Sequence, residues 1–243
     1  MTTDIMTATI GKINGFKFEP HTNDTIISNE ISTKCGSRQT DPYIKVKSAT
    51  AKGYEQATGE FVFHLDCDFF FSEYHFEDIR EACEKNNDSP ALSFWKYQFI
   101  LPDRYNLKSR LVLGVNKAKY GDRIKFNSGG DLCQPSLDDN YISPDDVPEA
   151  RVPFYNYEKL TKTKEQIAED VQRMDRAYYR HFGKWLYSNN GIGAYEGWYA
   201  MAKGRFSKPQ EFVNLVDHPK YIQRAIRKLT PEQFGYKIGR AHV

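Results

Sequence analysis

The chain has 243 residues, of which 40% are apolar and 14% aromatic. This composition is typical of a globular protein with a buried core, and it excludes a disordered, collagen-like or low-complexity chain. The 34 Lys and Arg residues against 32 Asp and Glu residues leave a formal charge of +2. The sequence therefore has no overall basic field that would hold nucleic acid, although a local basic patch stays open.

The four cysteines show neither a CxxC pair nor the spacing of a zinc ribbon, and they are too few for a disulfide scaffold; they are Cys35, Cys67, Cys83 and Cys133. Reduced thiols in a cytosol are the expectation. The first residues, MTTDIMTATIGK, lack the apolar core of a signal peptide, and no apolar run approaches the length of a membrane span. We therefore expect a soluble, cytoplasmic protein without a membrane span.

The first part of the chain predicts short strands, followed by a helix, a strand and a second helix. Residues 1–43 mix short β-like runs with turn residues. The segment Ser48–Gln56 predicts a short helix, and the apolar run Phe61–Leu65 predicts a strand that is buried on both faces of a sheet. A helix is predicted over Phe76–Lys85, with acidic residues at its start and a lysine at its end.

The later part of the chain predicts two more strands, a long loop and two helices. Leu92–Leu101 and Leu111–Val115 are rich in aromatic or aliphatic residues and predict strands. Residues 122–148 are rich in Gly, Asp, Asn, Ser and Pro and predict a loop. Apolar residues at steps of three or four predict a helix over Lys164–Tyr187. A last helix is predicted from Asp217, its N-cap, to about Leu229.

These elements predict an α/β protein with no internal repeat and no domain linker. We expect a single domain over residues 1–243, in which a sheet is flanked by helices. Within it, residues 1–160 are predicted to form the α/β core, and residues 161–243 a helical C-terminal part.

Two carboxylates, Asp66 and Asp68, follow the predicted buried strand and are separated by one residue. Ligands of open α/β sheets bind beyond the carboxyl ends of strands, so a site is expected here. Strand alternation sends neighbouring side chains to opposite faces, so Asp66 and Asp68 are expected to face the same way. Two such carboxylates suit Mg²⁺ or Mn²⁺, with a substrate diphosphate supplying further oxygens. A surface turn produces the same triplet by chance, so this alternative stays open.

The sequence around these carboxylates, ATAKGYEQATGEFVFHLDCD at residues 49–68, resembles a segment of family 2 glycosyltransferases, which have the GT-A fold. In that segment a helix ends in Ala-x-Gly-Asp and the next strand ends in Leu-Asp-x-Asp. Tyr120–Asp131, the run VPFYNY at 152–157 and the helix from Lys164 resemble the later half of one subgroup. The resemblance implies a GT-A-like, Rossmann-like mixed sheet flanked by helices, with a nucleotide-sugar-binding core.

The resemblance implies a metal-dependent transferase that moves a sugar from a nucleoside-diphosphate sugar to an acceptor hydroxyl. Asp66 and Asp68 then approach the donor and a Mn²⁺ or Mg²⁺ ion. Asn156 stands where the subgroup has the histidine of Tyr-His-Tyr, so an amide oxygen replaces an imidazole as a metal ligand. If the enzyme inverts the sugar, Asp131 is the candidate general base, and Glu196 is the reserve candidate.

Further candidate substrate-binding residues lie on the predicted first helix and on a predicted strand. Lys52 belongs to the helix of the segment that carries the resemblance. Trp95 and Tyr97 alternate with other residues along their strand, so one face could stack on a sugar or a base, or could belong to the core. The sequence departs from the family at Thr50-Ala51, where an Arg-Asn pair is usual, and in the short part that precedes the metal motif.

The sequence leaves the acceptor open, because a glycan, a lipid, a protein and a modified nucleic acid all present hydroxyls. A nucleotidyltransferase is the nearest enzymatic alternative, since it uses the same paired carboxylates but attacks phosphorus. A non-catalytic nucleotide- or carbohydrate-binding protein on the same fold is the other. Among the remaining polar residues, we interpret His64 as a core residue, His218 as part of a helix start, and Asp138 and Asp139 as members of a solvated loop.

Overall fold

The structure of the protein is a computed structural model. The structure describes residues 5–10, 50–66, 68–128, 133–158, 160, 162–206 and 211–229. Within these ranges, no helix combines the length and the apolar content that crossing a membrane requires.

The described residues form ten strands, most of them in one large sheet. They are β1 (Ile5–Ile10), β2 (Phe61–Asp66), β3 (Phe69–Phe70), β4 (Ala91–Leu101), β5 (Arg104–Asn116), β6 (Ile124–Ser128), β7 (Gln134–Leu137), β8 (Asn140–Tyr141), β9 (Glu149–Asn156) and β10 (Glu211–Phe212). The large sheet has the order β1-β2-β5-β4-β9-β3, and β10 pairs with β5. Because β1 runs parallel to β2 and β5 runs antiparallel to it, the sheet is mixed. The predicted mixed α/β architecture is confirmed at this level.

Six helices occur in the described residues, and short 3₁₀ turns join some of them to the strands. They are α1 (50–56), α2 (Phe76–Lys85), α3 (Lys117–Tyr120), α4 (Lys164–Phe182), α5 (Ala194–Phe206) and α6 (Lys220–Ile226). The chain divides into two compact units. The first unit holds Met1–Lys96 and Ser109–Phe154, and the second holds Tyr97–Lys108 and Tyr155–Val243. The predicted single domain over 1–243 stays a prediction.

The helix predictions are confirmed in position, and two of them differ at their ends. The bounds of α2 are those predicted. α4 ends at Phe182 and not at Tyr187, because Gly183 adopts a left-handed conformation with φ 68° that closes the helix. Asp217 does not begin the last helix: it ends a 3₁₀ turn, where its carboxylate accepts a hydrogen bond from the Asn214 backbone N–H at 2.8 Å. α6 starts three residues later.

The core of the first unit is built on β2. Four of its six residues are buried, as expected for a strand that is covered on both faces. The Phe63 ring meets the rings of Phe71 and Phe94 edge-on, each at 5.9 Å between centroids. From α2, Ile79 and Cys83 enter the same cluster, since residues four apart share a helix face. These contacts hold β2 in place, and with it the residues at its carboxyl end.

The prediction of a loop over residues 122–148 is wrong in part. Three strands, β6, β7 and β8, form a small antiparallel sheet there. Asp138 and Asp139 form the two-residue turn between β7 and β8, with φ values of 51° and 65° that such turns require. Ile124 and Phe126 are buried against Tyr54 and its neighbours. The alternation of these two residues was the strand signal, and the polar composition around it obscured it.

The second unit has a helical core and an aromatic cluster. α4 and α5 pack through Ile167, Val171, Ala194, Trp198 and Ala202, all of which are buried. α4 begins at a capping box, in which the Thr163 hydroxyl and the Gln166 amide each bind the backbone of the other. The aromatic cluster contains Phe99, Tyr155, Tyr157 and His218.

Candidate active site

Asp66 is the last residue of β2 and is the point where that strand leaves the core. Its side chain is 55% exposed, whereas the preceding Leu65 is buried. Asp68 is half-buried in the turn before β3, and Cys67 lies outside the described residues. Because the strand stops at Asp66, strand alternation no longer fixes the direction of Asp68. A shared direction of the two carboxylates stays a prediction.

His64 lies two residues before Asp66 and therefore on the same side of β2. Its Nε2 atom is 4.0 Å from Asp66 Oδ1, and its ring meets the Phe126 ring edge-on at 5.3 Å. The ring contact agrees with the interpretation of His64 as a packing residue. The i, i+2 spacing also places this ring beside the Asp66 carboxylate.

The helix that precedes β2 is held in place by Lys117, which sequence reasoning missed. Its Nζ atom donates to the carbonyl oxygens of Tyr54, Glu55 and Ala57 at 2.7, 3.0 and 2.6 Å. The same ammonium lies 4.9 Å from the centre of the Tyr54 ring. Carbonyls at the C-terminal end of a helix carry partial negative charge, so this ammonium caps α1. Nothing in the local sequence links residues this far apart.

Tyr54 joins α1 to the segment that leads into β6. Its hydroxyl donates to the Gly121 carbonyl oxygen at 2.8 Å. Burial, with the Asp122 charge nearby, raises the pKa of Tyr54 to about 12. Tyr54 is therefore a neutral, structural phenol. A cavity of about 10 Å³, lined by Gly53, His64 and others, lies beside it and has room for one water molecule.

A larger cavity of about 350 Å³ lies on the small sheet and is lined by charged side chains. Arg123 pairs with Asp138 at 2.6 Å, and Lys125 pairs with Asp139 at 2.9 Å. Both carboxyl groups have lowered pKa values, chiefly because of these hydrogen bonds. Since cations already neutralise the two carboxylates, the interpretation of this region as a solvated surface is favoured over a second cation site.

The candidate substrate-binding side chains have different surroundings. Lys52 is exposed on α1. Trp95 is half-buried in the first unit, where the guanidinium of Arg110 lies 5.7 Å from its ring. Tyr97 belongs to the second unit, and its ring stacks on Tyr105 at 3.9 Å with an angle of 11°. Their role in binding a sugar or a base stays a prediction.

The predicted ligand Asn156 is the last residue of β9 and is 2% exposed. Its Oδ1 atom accepts a hydrogen bond from Gln98 Nε2 at 3.5 Å. Asp66 and Asp68 belong to the first unit and Asn156 to the second. The three-residue ligand set stays a prediction. In the described part of the chain, no group of three or more His, Cys, Asp and Glu side chains is placed to hold a metal ion.

Of the two candidate bases, the structure describes only Glu196. Asp131 lies outside the described residues. Glu196 is exposed in the first turn of α5, whereas Trp198, two residues later, is buried between α4 and α5. Residues two apart on a helix point to different sides, so Glu196 faces solvent although its neighbour in sequence is a core residue. Its accessibility is compatible with acid or base chemistry.

His218 is fully buried and was not expected to organise its surroundings. Its Nε2 atom is 2.8 Å from the Pro102 carbonyl oxygen, and its Nδ1 atom is 2.7 Å from the Tyr157 hydroxyl. A carbonyl oxygen can only accept, so the proton is on Nε2, and Nδ1 accepts from the hydroxyl. Burial lowers the pKa of His218 and raises that of Tyr157. Both side chains are neutral, and their role in the structure is to pair with each other.

Comparison with known proteins adds no family. No protein-family model matches the sequence, and no curated protein matches it.

Proposed function

We propose that the protein is a GT-A-like glycosyltransferase that moves a sugar from a nucleoside-diphosphate sugar to an acceptor hydroxyl, with Mn²⁺ or Mg²⁺. The observation that carries the proposal is the position of Asp66: an exposed carboxylate at the carboxyl end of a buried strand of a mixed sheet. Such strand ends are where α/β sheets bind ligands. The likeness of residues 49–68 to family 2 glycosyltransferases supports the same reaction.

The chemistry of the two carboxylates fits the proposed metal. Asp66 and Asp68 offer hard oxygen ligands next to each other in sequence, and a donor diphosphate supplies more. Asp66 and Asp68 would hold the Mn²⁺ or Mg²⁺ ion, which would offset the charge that develops on the departing nucleoside diphosphate. The capping of α1 by Lys117 holds the segment that leads into β2, which keeps Asp66 at a defined position.

The remaining roles follow the same reaction. Asp131 takes the proton of the acceptor hydroxyl as it attacks the anomeric carbon, with Glu196 as the second candidate for this base. Asn156 is proposed as a further metal ligand, and Lys52, Trp95 and Tyr97 as contacts of the donor or the acceptor. We propose inversion of the sugar, the outcome for which a separate base is required.

The test is a screen of nucleoside-diphosphate sugars with Mn²⁺, in which both products are identified. Sugar transfer releases a nucleoside diphosphate, whereas a nucleotidyltransferase leaves the nucleotide on the acceptor. We expect release of nucleoside diphosphate that stops with a chelator and falls at least about tenfold in Asp66→Asn. The matched control is Asp146→Asn, an exposed carboxylate of the same unit, which should keep full activity. Equal activity of Asp66→Asn and Asp146→Asn contradicts the proposal.

A further inference from the structure

An exposed apolar surface occupies the end of α4 and the segment that follows it. We call this surface the apolar rim; its members are Tyr179, Phe182, Leu186 and Ile192. The most exposed of them is Ile192 at 79%, and Tyr179 is exposed by 44%. Single exposed apolar residues are ordinary, but several that adjoin one another mark a surface that binds something.

Ring contacts connect part of the apolar rim. The Tyr179 ring stacks on the Trp185 ring at 4.3 Å between centroids, with an angle of 14°. The Trp185 ring in turn covers Gly191, where an added Cβ would lie 3.0 Å from it. Gly191 and Asn190 form a tight turn that presents Ile192 directly after it. These contacts connect Tyr179, through Trp185, to the turn that carries Ile192.

The segment that carries the rim is fixed in place. The buried Asp175 carboxylate accepts from the backbone N–H groups of Leu186 and Tyr187, each at 2.8 Å, and from the Ser188 hydroxyl. Burial opposes its ionisation, but these hydrogen bonds outweigh it, so the pKa of Asp175 is held below its ordinary value. On the other side, Gly197 lies so close to Tyr187 that a Cβ would be 2.0 Å from the Tyr187 carbonyl oxygen. Hydrogen bonds and close packing therefore hold the segment that carries the rim.

Basic side chains accompany the apolar rim. Arg176, Arg180 and Lys184 are exposed, and no ion pair joins any of them to a carboxylate within the described ranges. The nearby Asp175 carboxylate is buried and accepts hydrogen bonds from the backbone. Arg173 differs from the other three, since it pairs with Asp170 at 2.5 Å. Among the described residues, the surface therefore combines aliphatic and aromatic groups with three cations that form no ion pair there, and the Glu196 carboxylate lies beside Gly193 at its edge.

We propose that this surface docks the protein on an anionic lipid bilayer, with the apolar rim at the level of the acyl-chain boundary and the cations on the lipid phosphates. The apolar side of α4 packs against α5, so only the exposed side chains of this surface can meet a bilayer, and aliphatic and aromatic groups beside arginines are a combination that binds an anionic interface. Aromatic rings favour the boundary between the lipid head groups and the acyl chains, and each basic residue adds attraction to an anionic surface. Nucleic acid also attracts the cations, but it offers nothing to Ile192 and Leu186. The proposal does not depend on the transfer reaction.

The test is co-sedimentation of the full chain with vesicles of phosphatidylcholine alone and of phosphatidylcholine with phosphatidylglycerol. We expect binding to the anionic vesicles only, weakened by salt. Ile192→Ser should lower the partition coefficient about tenfold because an aliphatic side chain is lost from the interface. Arg176→Gln with Arg180→Gln should lower it about thirtyfold, since each charge contributes a factor of about five.

Two matched variants control for general effects of polarity and charge. Val216→Ser changes another exposed aliphatic residue, 64% exposed, on the 3₁₀ turn before α6. Arg224→Gln with Arg227→Gln removes the same charge from exposed positions of α6 and its cap. Both should bind anionic vesicles as the parent does. Circular dichroism of each variant must match the parent, and a variant that fails this check is replaced by Leu186→Ser.

Three results overturn the proposal. The first is equal binding by Ile192→Ser and Val216→Ser. The second is a protein that ignores anionic vesicles but shifts a single-stranded oligonucleotide, with loss only in the arginine pair, because the surface then binds nucleic acid. The third is a dimer in solution that Ile192→Ser converts to a monomer without any vesicle binding, because the rim then joins two copies of the chain.

Discussion

At the scale of single residues, hydrogen bonds determine the protonation of buried polar groups in the second unit. His218 is neutral because Nε2–H donates to Pro102 and Nδ1 accepts from Tyr157. A second proton on the ring, at Nδ1, would remove the acceptor of the Tyr157 hydroxyl in a site that excludes water. The folded protein therefore binds this proton less readily than the unfolded chain, where the histidine pKa is about 6.5.

This difference predicts a loss of stability in weak acid. As the pH falls below about 6.5, the unfolded chain takes up the proton first, so the free energy of unfolding declines until the pH reaches the lowered pKa of folded His218. The slope from this residue is at most about 1.4 kcal/mol per pH unit. Urea unfolding at several pH values between 7.5 and 5 measures it.

The variant His218→Gln removes the titration and should flatten that slope, even though it lowers stability at every pH. His75→Gln, which changes a half-buried histidine on the surface of the first unit, should leave the slope as it is. An unchanged slope in His218→Gln contradicts the assignment of the acid sensitivity to this side chain.

At the scale of elements, the parts of the fold that sequence predicts are those that local pattern determines. β2 and α2 have the predicted positions, because an apolar run and a spacing of four residues carry their burial within one short stretch. The end of α4 needed Gly183 to be recognised as a cap. The small sheet β6-β7-β8 was missed, since its pairing is set by partners and a turn within a polar stretch. Lys117 was missed for the same reason, because its three acceptors lie on another element.

Lys117 provides a test of how much a long-range cap contributes to one element. Lys117→Met keeps the aliphatic stem and removes the ammonium, so the three carbonyls at the end of α1 lose their donor. We expect the free energy of unfolding to fall by about 1–2 kcal/mol. Urea denaturation followed by circular dichroism measures the change.

The matched control is Lys119→Met, which removes an exposed ammonium that pairs with Asp88. It should have little or no effect, because solvent screens exposed pairs. If Lys117→Met costs no more than Lys119→Met, the hydrogen bonds to α1 do not stabilise the fold. Loss of transferase activity in Lys117→Met, with the fold intact, would then assign the residue to positioning of Asp66.

At the scale of the whole molecule, the predicted mixed sheet is confirmed, whereas the site at the end of β2 stays a proposal and the grouping of its residues was not predicted. Asp66 and Asp68 belong to the first unit, and Asn156 and Glu196 to the second. The spacing of two carboxylates is a local property that a sequence reveals. A ligand set that draws on distant segments depends on the complete fold, and neither periodicity nor composition contains it. The proposed role of Asp131 likewise depends on its position in the folded protein.

Binding and chemistry can be separated at that scale by comparing stability with turnover. A nucleoside diphosphate with Mn²⁺ should raise the melting temperature of the parent, since a ligand that binds only the folded state stabilises it by mass action. Asp131→Asn should keep this metal-dependent rise and lose about 10²–10⁴-fold in transfer rate, because a base acts only when the acceptor attacks. Asp66→Asn should lose both the rise and the activity. If transfer by Asp131→Asn stays within about threefold of the parent, the base is another residue, and the same comparison passes to Glu196→Gln.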